Sequence, residues 1–511
     1  MITALTGVRQ RVLALLGRLS MYRLVLLALG VLIALALALS AAELVSPRLL
    51  DLLVSLAVLT AATMATDALA QRLLHLPWRV ESSAITAAIL LFVLQPASDL
   101  SPAVLGGLAL AGIFGAVSKY LIAWRGRHLL NPAAVGAAVV TITGLGTFSA
   151  WWVGTPALFI PVLMLGLVVA WRTEKVRVVL LFLVIAVAVS VVRQAVQLSG
   201  AGLAFDAGQA LSAALLQSPY LFLGLFMLSE PLTLPPRRWQ QFAVTCLVGV
   251  LAGWPISVGA FTLGQERALL IGNVLAALLA RRAGVRLRLT ERARITPGVQ
   301  QLTFQASGGL RFTAGQYLEL AVPHRRPDAR GTRREFSIVS SPADLPAVRI
   351  AYRGEESSYK KALAAAAPGA QFAVTGVWGD FVLPRGEAPV LLVAAGIGVT
   401  PFVSQLRSLE GAGCDVVLVH VASSAAELAF REELESLPAR VVVFTRDRPD
   451  RLPAHWTWAG GVRLDAASLG RAVPDLSSRH AFVSGPPGLI ADLAPALRGA
   501  RSLTTDAFAG Y

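Results

Sequence analysis

The chain has 511 residues, and the residue types and spacings best suited to chemistry cluster after position 284. Val393-Ala394-Ala395-Gly396-Ile397-Gly398-Val399-Thr400-Pro401 closes an apolar run and opens a helical pattern. Glycines at such a junction let backbone approach the phosphates of a dinucleotide, and a helix N-terminus favours their charge. A Gly-x-Gly pair needs a strand before it and a helix after it to mean a nucleotide site, and both are present. Upstream, Arg333-Arg334-Glu335-Phe336-Ser337 ends a strand pattern. It offers a guanidinium for phosphate, a ring to cover a planar cofactor and a hydroxyl to hydrogen-bond it. Gly354-Glu355-Glu356-Ser357-Ser358-Tyr359-Lys360 follows at a helix start, whose free N–H groups suit a pyrophosphate. Phe482-Val483-Ser484-Gly485-Pro486-Pro487-Gly488 ends another strand, where α/β sheets place their ligands.

These four segments, in this order, resemble the ferredoxin–NADP reductase superfamily over 285–511. The resemblance implies FAD held by Arg334, Phe336 and Ser337, with its pyrophosphate near Ser357. It implies NAD(P)H on Gly396, Gly398, Thr400 and Pro401, with Gly485 and Pro486 beside the nicotinamide. Ser484 stands where the family more often has Cys, and Tyr511 ends the chain like the C-terminal aromatic that lies near the flavin in some members. These two are the candidate catalytic residues. Phe336 replaces the commoner Tyr, which keeps the ring and loses a hydroxyl contact. The segment Gly376-Val377-Trp378-Gly379-Asp380-Phe381 fits the family's link between barrel and sheet. No basic residue follows the 416–421 strand before Arg431, which leans toward NADH and leaves NADPH open.

In the first 282 residues, three polar islands interrupt apolar runs. They are Glu81-Ser82-Ser83-Ala84-Ile85-Thr86, Lys119 with Arg127-His128-Leu129-Leu130-Asn131-Pro132, and Ser229-Glu230-Pro231-Leu232-Thr233-Leu234-Pro235-Pro236. Polar groups at membrane depth are costly, so a cluster of them is a candidate site, although each alone also reads as a helix cap or turn. Together they resemble the NqrB/RnfD family of membrane flavin subunits over about 50–280. That resemblance implies a second flavin (FMN or riboflavin), and a quinone, held among Ser83, Lys119, Asn131, Glu230 and Thr233. The family attaches FMN to the last threonine of a Ser/Thr-Gly-Ala-Thr stretch, and no such tetrapeptide occurs here. A non-covalent flavin is therefore expected.

Two kinds of scaffold must position these groups. The chain is 55% hydrophobic and 15% charged, against about a quarter charged in soluble proteins, so much of it belongs in lipid. Ten apolar runs lie near 22–42, 50–70, 82–95, 102–124, 132–149, 154–171, 177–195, 208–228, 240–258 and 264–280. The third is short, and Ser218-Pro219 breaks the eighth. Basic residues such as Arg72, Arg125, Arg172, Arg237 and Arg281 alternate with acidic loops holding Glu43, Asp99 and Asp206. The positive-inside rule then puts both termini in the cytoplasm of an inner-membrane protein. It also accounts for the net charge of +15 without nucleic acid.

After position 284, short alternating strands predict an antiparallel β-barrel, and continuous apolar strands alternating with helices predict a parallel sheet. The expected fold is multi-domain: a ten-span helical membrane domain over 1–282, an FAD-binding barrel over 285–386 and an NAD(P)-binding α/β domain over 388–511. Two cysteines, Cys246 and Cys414, exclude a four-cysteine iron–sulfur cluster of this chain alone. The six histidines offer no mid-membrane pair for haem, and no metal site is expected. The expected activity is electron transfer from NAD(P)H through FAD to a membrane flavin, a quinone or both, or onward across the membrane to another acceptor. The expected partners are the acceptor and the bilayer, and the sequence does not define partner subunits. The alternatives are a redox-sensing transporter or channel, and a membrane-anchored reductase serving a soluble partner.

Overall fold

Each of the ten apolar runs contains helix, in which the backbone satisfies its own N–H and C=O groups, while Ser257-Val258 at the end of the ninth run pairs as a short strand. The computed structural model describes residues 21–507, apart from 75, 77–79, 125–126, 174, 236, 260, 281–284, 325–331, 355–356, 385, 387, 410–413, 438 and 462. Described residues up to 281 form one compact unit and those from 282 onward another.

The first unit contains α1 (Met21–Ala41), α2 (Leu49–Leu73), α3 (Val80–Val93), α4 (Pro102–Leu121), α5 (Pro132–Thr143), α6 (Pro156–Arg172), α7 (Val176–Gly200), α8 (Ala207–Leu216), α9 (Tyr220–Leu228), α10 (Arg238–Gly253) and α11 (Gln265–Leu279). Sequence sets their starts. Ser101 caps α4 and Asn131 caps α5, each followed by a proline in the first turn, where a missing N–H costs nothing.

Ten crossings were expected; the helices supply four candidates, α1, α2, α4 and α7. A fifth arises if α8 and α9, bent by 47° across Ser218-Pro219, count as one. Length is the reason. The 12 residues of α5 rise only about 18 Å, well short of the ~30 Å of a bilayer core. The short helices are instead enclosed by protein: residues 86–93 of α3 and 132–138 of α5 are buried at every position, as helices apolar all round should be. Gly136 shows how closely they pack, since a Cβ there would lie 2.2 Å from the Ala111 carbonyl oxygen of α4. Beyond the C-terminus of α3 the chain runs extended, and Gln95 donates to the Phe148 carbonyl at 2.9 Å.

The second unit opens with β1 (Val285–Thr296), β2 (Val299–Ala306), β3 (Tyr317–Ala321), β4 (Arg333–Ser337), β5 (Ala347–Arg353), α12 (Ser358–Ala364) and β6 (Gln371–Trp378). The six strands pair antiparallel in the order β4-β3-β6-β1-β2-β5. An Ile338–Ile350 bridge joins the two outer strands and closes the barrel. Alternate residues of β1 are buried from Val285 to Leu289, and they meet Phe304, Leu320 and Phe372 in the barrel core.

There follow β7 (Val390–Ala395), α13 (Thr400–Ser408), β8 (Val416–Val421), α14 (Arg431–Glu435), β9 (Arg440–Phe444), β10 (Trp456–Trp458), α15 (Ala466–Ala472), β11 (His480–Gly485), α16 (Pro487–Leu497) and β12 (Ser502–Ala507). All six strands are parallel, ordered β10-β9-β8-β7-β11-β12. The order reverses at β7, the switch point beyond whose strand ends open α/β sheets bind ligands. Apolar clusters cover both faces, which is why β7 and β8 read as unbroken apolar runs.

The barrel and sheet are joined through α13. Ser404 Oγ donates to the Ser340 carbonyl at 2.7 Å and Gln405 Nε2 to that of Phe381 at 2.7 Å. Arg407 bridges Asp344 of the barrel and Glu433 of α14, and Arg349 of β5 forks onto the same Glu433.

Candidate functional site

In the second unit, the switch point brings the predicted nucleotide residues together. Gly396, at φ +55°, starts a tight turn that feeds α13. A Cβ on Gly398 would lie 2.3 Å from the Ser484 carbonyl oxygen. The ends of β7 and β11 can therefore be this close only with glycine. Thr400 Oγ1 donates to the Ile397 carbonyl at 2.9 Å and holds the turn, and Pro401 sits in the first turn of α13. Gly485 is buried, while Pro486 is exposed at the head of α16. Ser484 is fully buried, and its hydroxyl has no partner among the described residues. An orphan donor between two glycine-lined strand ends fits a polar planar ligand such as nicotinamide.

Two neighbours escaped the sequence reading. His420 on β8 pairs in register with Ala394 and is fully buried. Burial lowers its pKa to about 4, against a weaker pull from the Gly396 backbone, so the ring is neutral near pH 7. Arg353, at the end of β5, reaches to 3.7 Å from where a Cβ on Gly396 would sit, and pairs with Glu427 at 3.4 Å. A cation thus stands over the turn that would carry the phosphates. Only tertiary structure brings it there, since 43 positions separate it from Gly396.

In the barrel, Arg334 is nearly buried, its guanidinium 4.9 Å from the centre of the Tyr359 ring. Phe336 stacks on the same ring at 6.0 Å, and Ser337 is buried next along the strand. Burial pushes the Tyr359 phenol far up, so it stays neutral and donates to the Leu320 carbonyl at 2.9 Å. Phe336 therefore packs in the barrel core in this structure. Ser357 uses its hydroxyl as the N-cap of α12, accepting from the Lys360 N–H at 3.2 Å. Tyr511 lies outside the described residues.

In the first unit the islands divide into two networks. Asn131 and Glu230 meet: Asn131 Nδ2 donates to Glu230 Oε2 at 3.0 Å, and His128 Nε2 lies 3.0 Å from Oε1. Asn131 N–H donates to Asn273 Oδ1 at 2.8 Å, fixing the head of α5. These groups line an open cleft, to which Ser82 also contributes and whose walls include Ile85, Ile89, Val169 and Phe226. An apolar cleft with a few convergent polar groups is the usual form of an organic-ligand site.

Ser83 and Lys119 go elsewhere, a correction to their expected place with Asn131. Both donate to Asp67 Oδ2, at 2.5 and 2.7 Å, and Tyr120 donates to Oδ1 at 3.0 Å. Asp67 is buried in the second half of α2, and Ser82, whose carbonyl accepts from Lys119 and which lines the cleft, touches both networks. Thr233 only closes the turn onto the Glu230 carbonyl at 3.3 Å. Among the described residues, no group of three or more His, Cys, Asp or Glu could hold a metal ion.

The parallel sheet and its glycine turn define an oxidoreductase NAD-binding domain, and the model of that family matches residues 392–494. With the barrel, it makes the second unit a ferredoxin–NADP reductase-like module. The chain is 33% identical over 188 residues to an NADPH oxidoreductase of Mycobacterium tuberculosis, covering 35% of this chain and 47% of that protein. It is 33% identical over 149 residues to ferredoxin–NADP reductase B of Sorangium cellulosum, covering 28% and 60%. The solved cytochrome P450 reductase of Amycolatopsis is 26% identical, with a TM-score of 0.38 over 44% of this chain and 70% of that one. The chain spans about half the length of the first curated relatives it matches.

Proposed function

We propose that this chain is a membrane-bound NAD(P)H-dependent flavin oxidoreductase. Its barrel holds FAD, its parallel sheet binds NAD(P)H, and its helical unit takes the electrons onto a non-covalent FMN or riboflavin, a quinone, or both. The reading divides the chain into an NqrB/RnfD-like domain over 1–282, an FAD domain over 285–386 and an NAD(P) domain over 388–511. It sets the helical part in an inner membrane with both termini cytoplasmic. The observation that carries the membrane half is the meeting of Ser82, His128, Asn131 and Glu230 in one cleft, though they come from three separate islands. The NAD-binding match and the curated relatives support the reductase half.

A bound flavin accepts two electrons from a nicotinamide and can release them one at a time, so the protein's own task is placement. In this reading Gly396 and Gly398 give the dinucleotide phosphates a backbone seat beneath Arg353. Ser484 hydrogen-bonds the nicotinamide edge, and Arg334 neutralises flavin phosphate. In the cleft, Asn131 orders Glu230 while the apolar walls exclude water from an organic ring.

The test is flavin analysis of the purified full-length protein before and after acid precipitation. Two extractable flavins per chain are expected, one of them FAD. Arg334→Ala should lower FAD alone, and Asn131→Ala the second flavin alone. FAD as the sole flavin would remove the membrane flavin and leave direct transfer to quinone. A flavin that stays with the precipitate would make the attachment covalent.

A further inference from the structure

Reducing a quinone takes two protons as well as two electrons, and the cleft walls of Ile85, Ile89, Val169 and Phe226 carry none. The floor does. His128 and Glu230 are largely sheltered, with 13% and 20% of their side chains exposed. The His128–Glu230 contact uses Nε2, and His128 makes no other hydrogen bond among the described residues. Nδ1 is therefore the ring nitrogen left for a ligand. Glu230 is held from its other oxygen by Asn131, so the pair is fixed before any ligand arrives. Asp67 is no rival donor, because its oxygens already accept from Lys119, Ser83 and Tyr120.

We propose that His128 donates protons to a quinone carbonyl in this cleft, with Glu230 as the positioning carboxylate that holds the ring by Nε2. This rests on the reading of the cleft as the place where electrons leave for a quinone. The balance is NAD(P)H, one proton and quinone giving NAD(P)⁺ and quinol. As electrons arrive, an O–H bond forms at a carbonyl oxygen and the Nδ1–H bond breaks. Water at the open mouth of the cleft reloads Nδ1, and the second oxygen is protonated the same way. Other titratable or charged groups on the surrounding elements are Tyr22 and Arg23 of α1, Asp67 of α2, Glu81 of α3, Lys119 and Tyr120 of α4, and Arg172 of α6. Arg23 pairs with Glu81, and Lys119 with Asp67.

The experiment uses the full chain in nanodiscs and compares its rate with a short-chain ubiquinone against its rate with ferricyanide, which takes electrons without protons. His128→Gln should lower the quinone-to-ferricyanide ratio by at least about tenfold, the low end of the range for general acid catalysis. It should also remove the solvent deuterium isotope effect, while quinone Kd from tryptophan quenching stays within about twofold. Glu230→Gln, which can still accept from Nε2–H, should retain more of the ratio than Glu230→Leu. A His128→Gln ratio within about threefold of wild type, with wild type still reducing quinone, would overturn the donor assignment. A wild type that reduces ferricyanide and no quinone would instead overturn the reading of the cleft.

Discussion

Asn131 donates its side-chain amide to Glu230 at 3.0 Å, tying the head of α5 to the end of α9 across 99 positions of sequence. The same side chain caps α5 through the Ala134 N–H at 3.1 Å, so one residue both starts a helix and holds a half-buried acid. Replacing it with alanine should cost about 1–2 kcal/mol through the lost cap and the lost hydrogen bond to Glu230. The expected functional result is a quinone KM raised about tenfold, equivalent to ~1.4 kcal/mol, with FAD content unchanged. Steady-state kinetics beside flavin extraction checks it. Unchanged KM would separate this contact from ligand binding.

Gly398→Ala tests the contact between strand ends. Its new Cβ would lie 2.3 Å from the Ser484 carbonyl oxygen, a backbone atom that cannot swing aside. The strands must part, at a cost of about 1–3 kcal/mol. Flavin reduction by NAD(P)H, followed by stopped flow, should slow by at least about a hundredfold, because an ångström-scale displacement is enough for such a loss. FAD should stay bound in the barrel.

Lys119→Met would leave Asp67 charged and buried without its cation, a change worth about 3–5 kcal/mol. Thermal unfolding in detergent should show a clear fall in Tm. Adding Asp67→Asn to the same chain should recover much of it, since neither charge then remains. Equal losses in the single and double variants would mean that the pair is not the source.

Glu433 gives a pH signature. Burial alone would raise its carboxyl pKa, but hydrogen bonds from Arg349 and Arg407 outweigh it and hold the value below the ordinary range. A folded pKa below the unfolded one, near 4.3, means stability that is complete above that value. It is lost as pH falls through the folded pKa. The reductase unit should therefore lose Tm below about pH 4.5, and Glu433→Gln should show lower Tm at neutral pH with a flatter acid limb. Differential scanning fluorimetry from pH 3 to 7 reads both, and parallel curves would exclude Glu433 as the cause.

What sequence disclosed was what is local. The turn from Val393 to Pro401 carries its own context, so strand, glycines and helix could be read together, and the parallel sheet followed. Every apolar run contains a helix, as its length and composition led one to expect. Helix length against bilayer thickness was another matter: α3 and α5 are shorter than a crossing needs, and four helices meet that length. Asp67 gave no signal, being an acid within a largely apolar helix whose partner Lys119 lies 52 positions away. At Ser357 sequence alone leaves two roles open, since a serine before a helix can serve a ligand or the helix's own N–H groups; the structure shows the second, with its hydroxyl accepting from the Lys360 N–H.

The enclosure of α3 and α5 has one more consequence. Residues 86–93 and 132–138 are buried at every position, so if the helical unit lies in a bilayer as proposed, a change of bilayer thickness should act first on the longer α1, α2, α4 and α7. The head of α5, with Asn131, sits at the end of such a sheltered helix. On the proposed reading, the cleft at that helix head should keep its geometry in bilayers of different thickness.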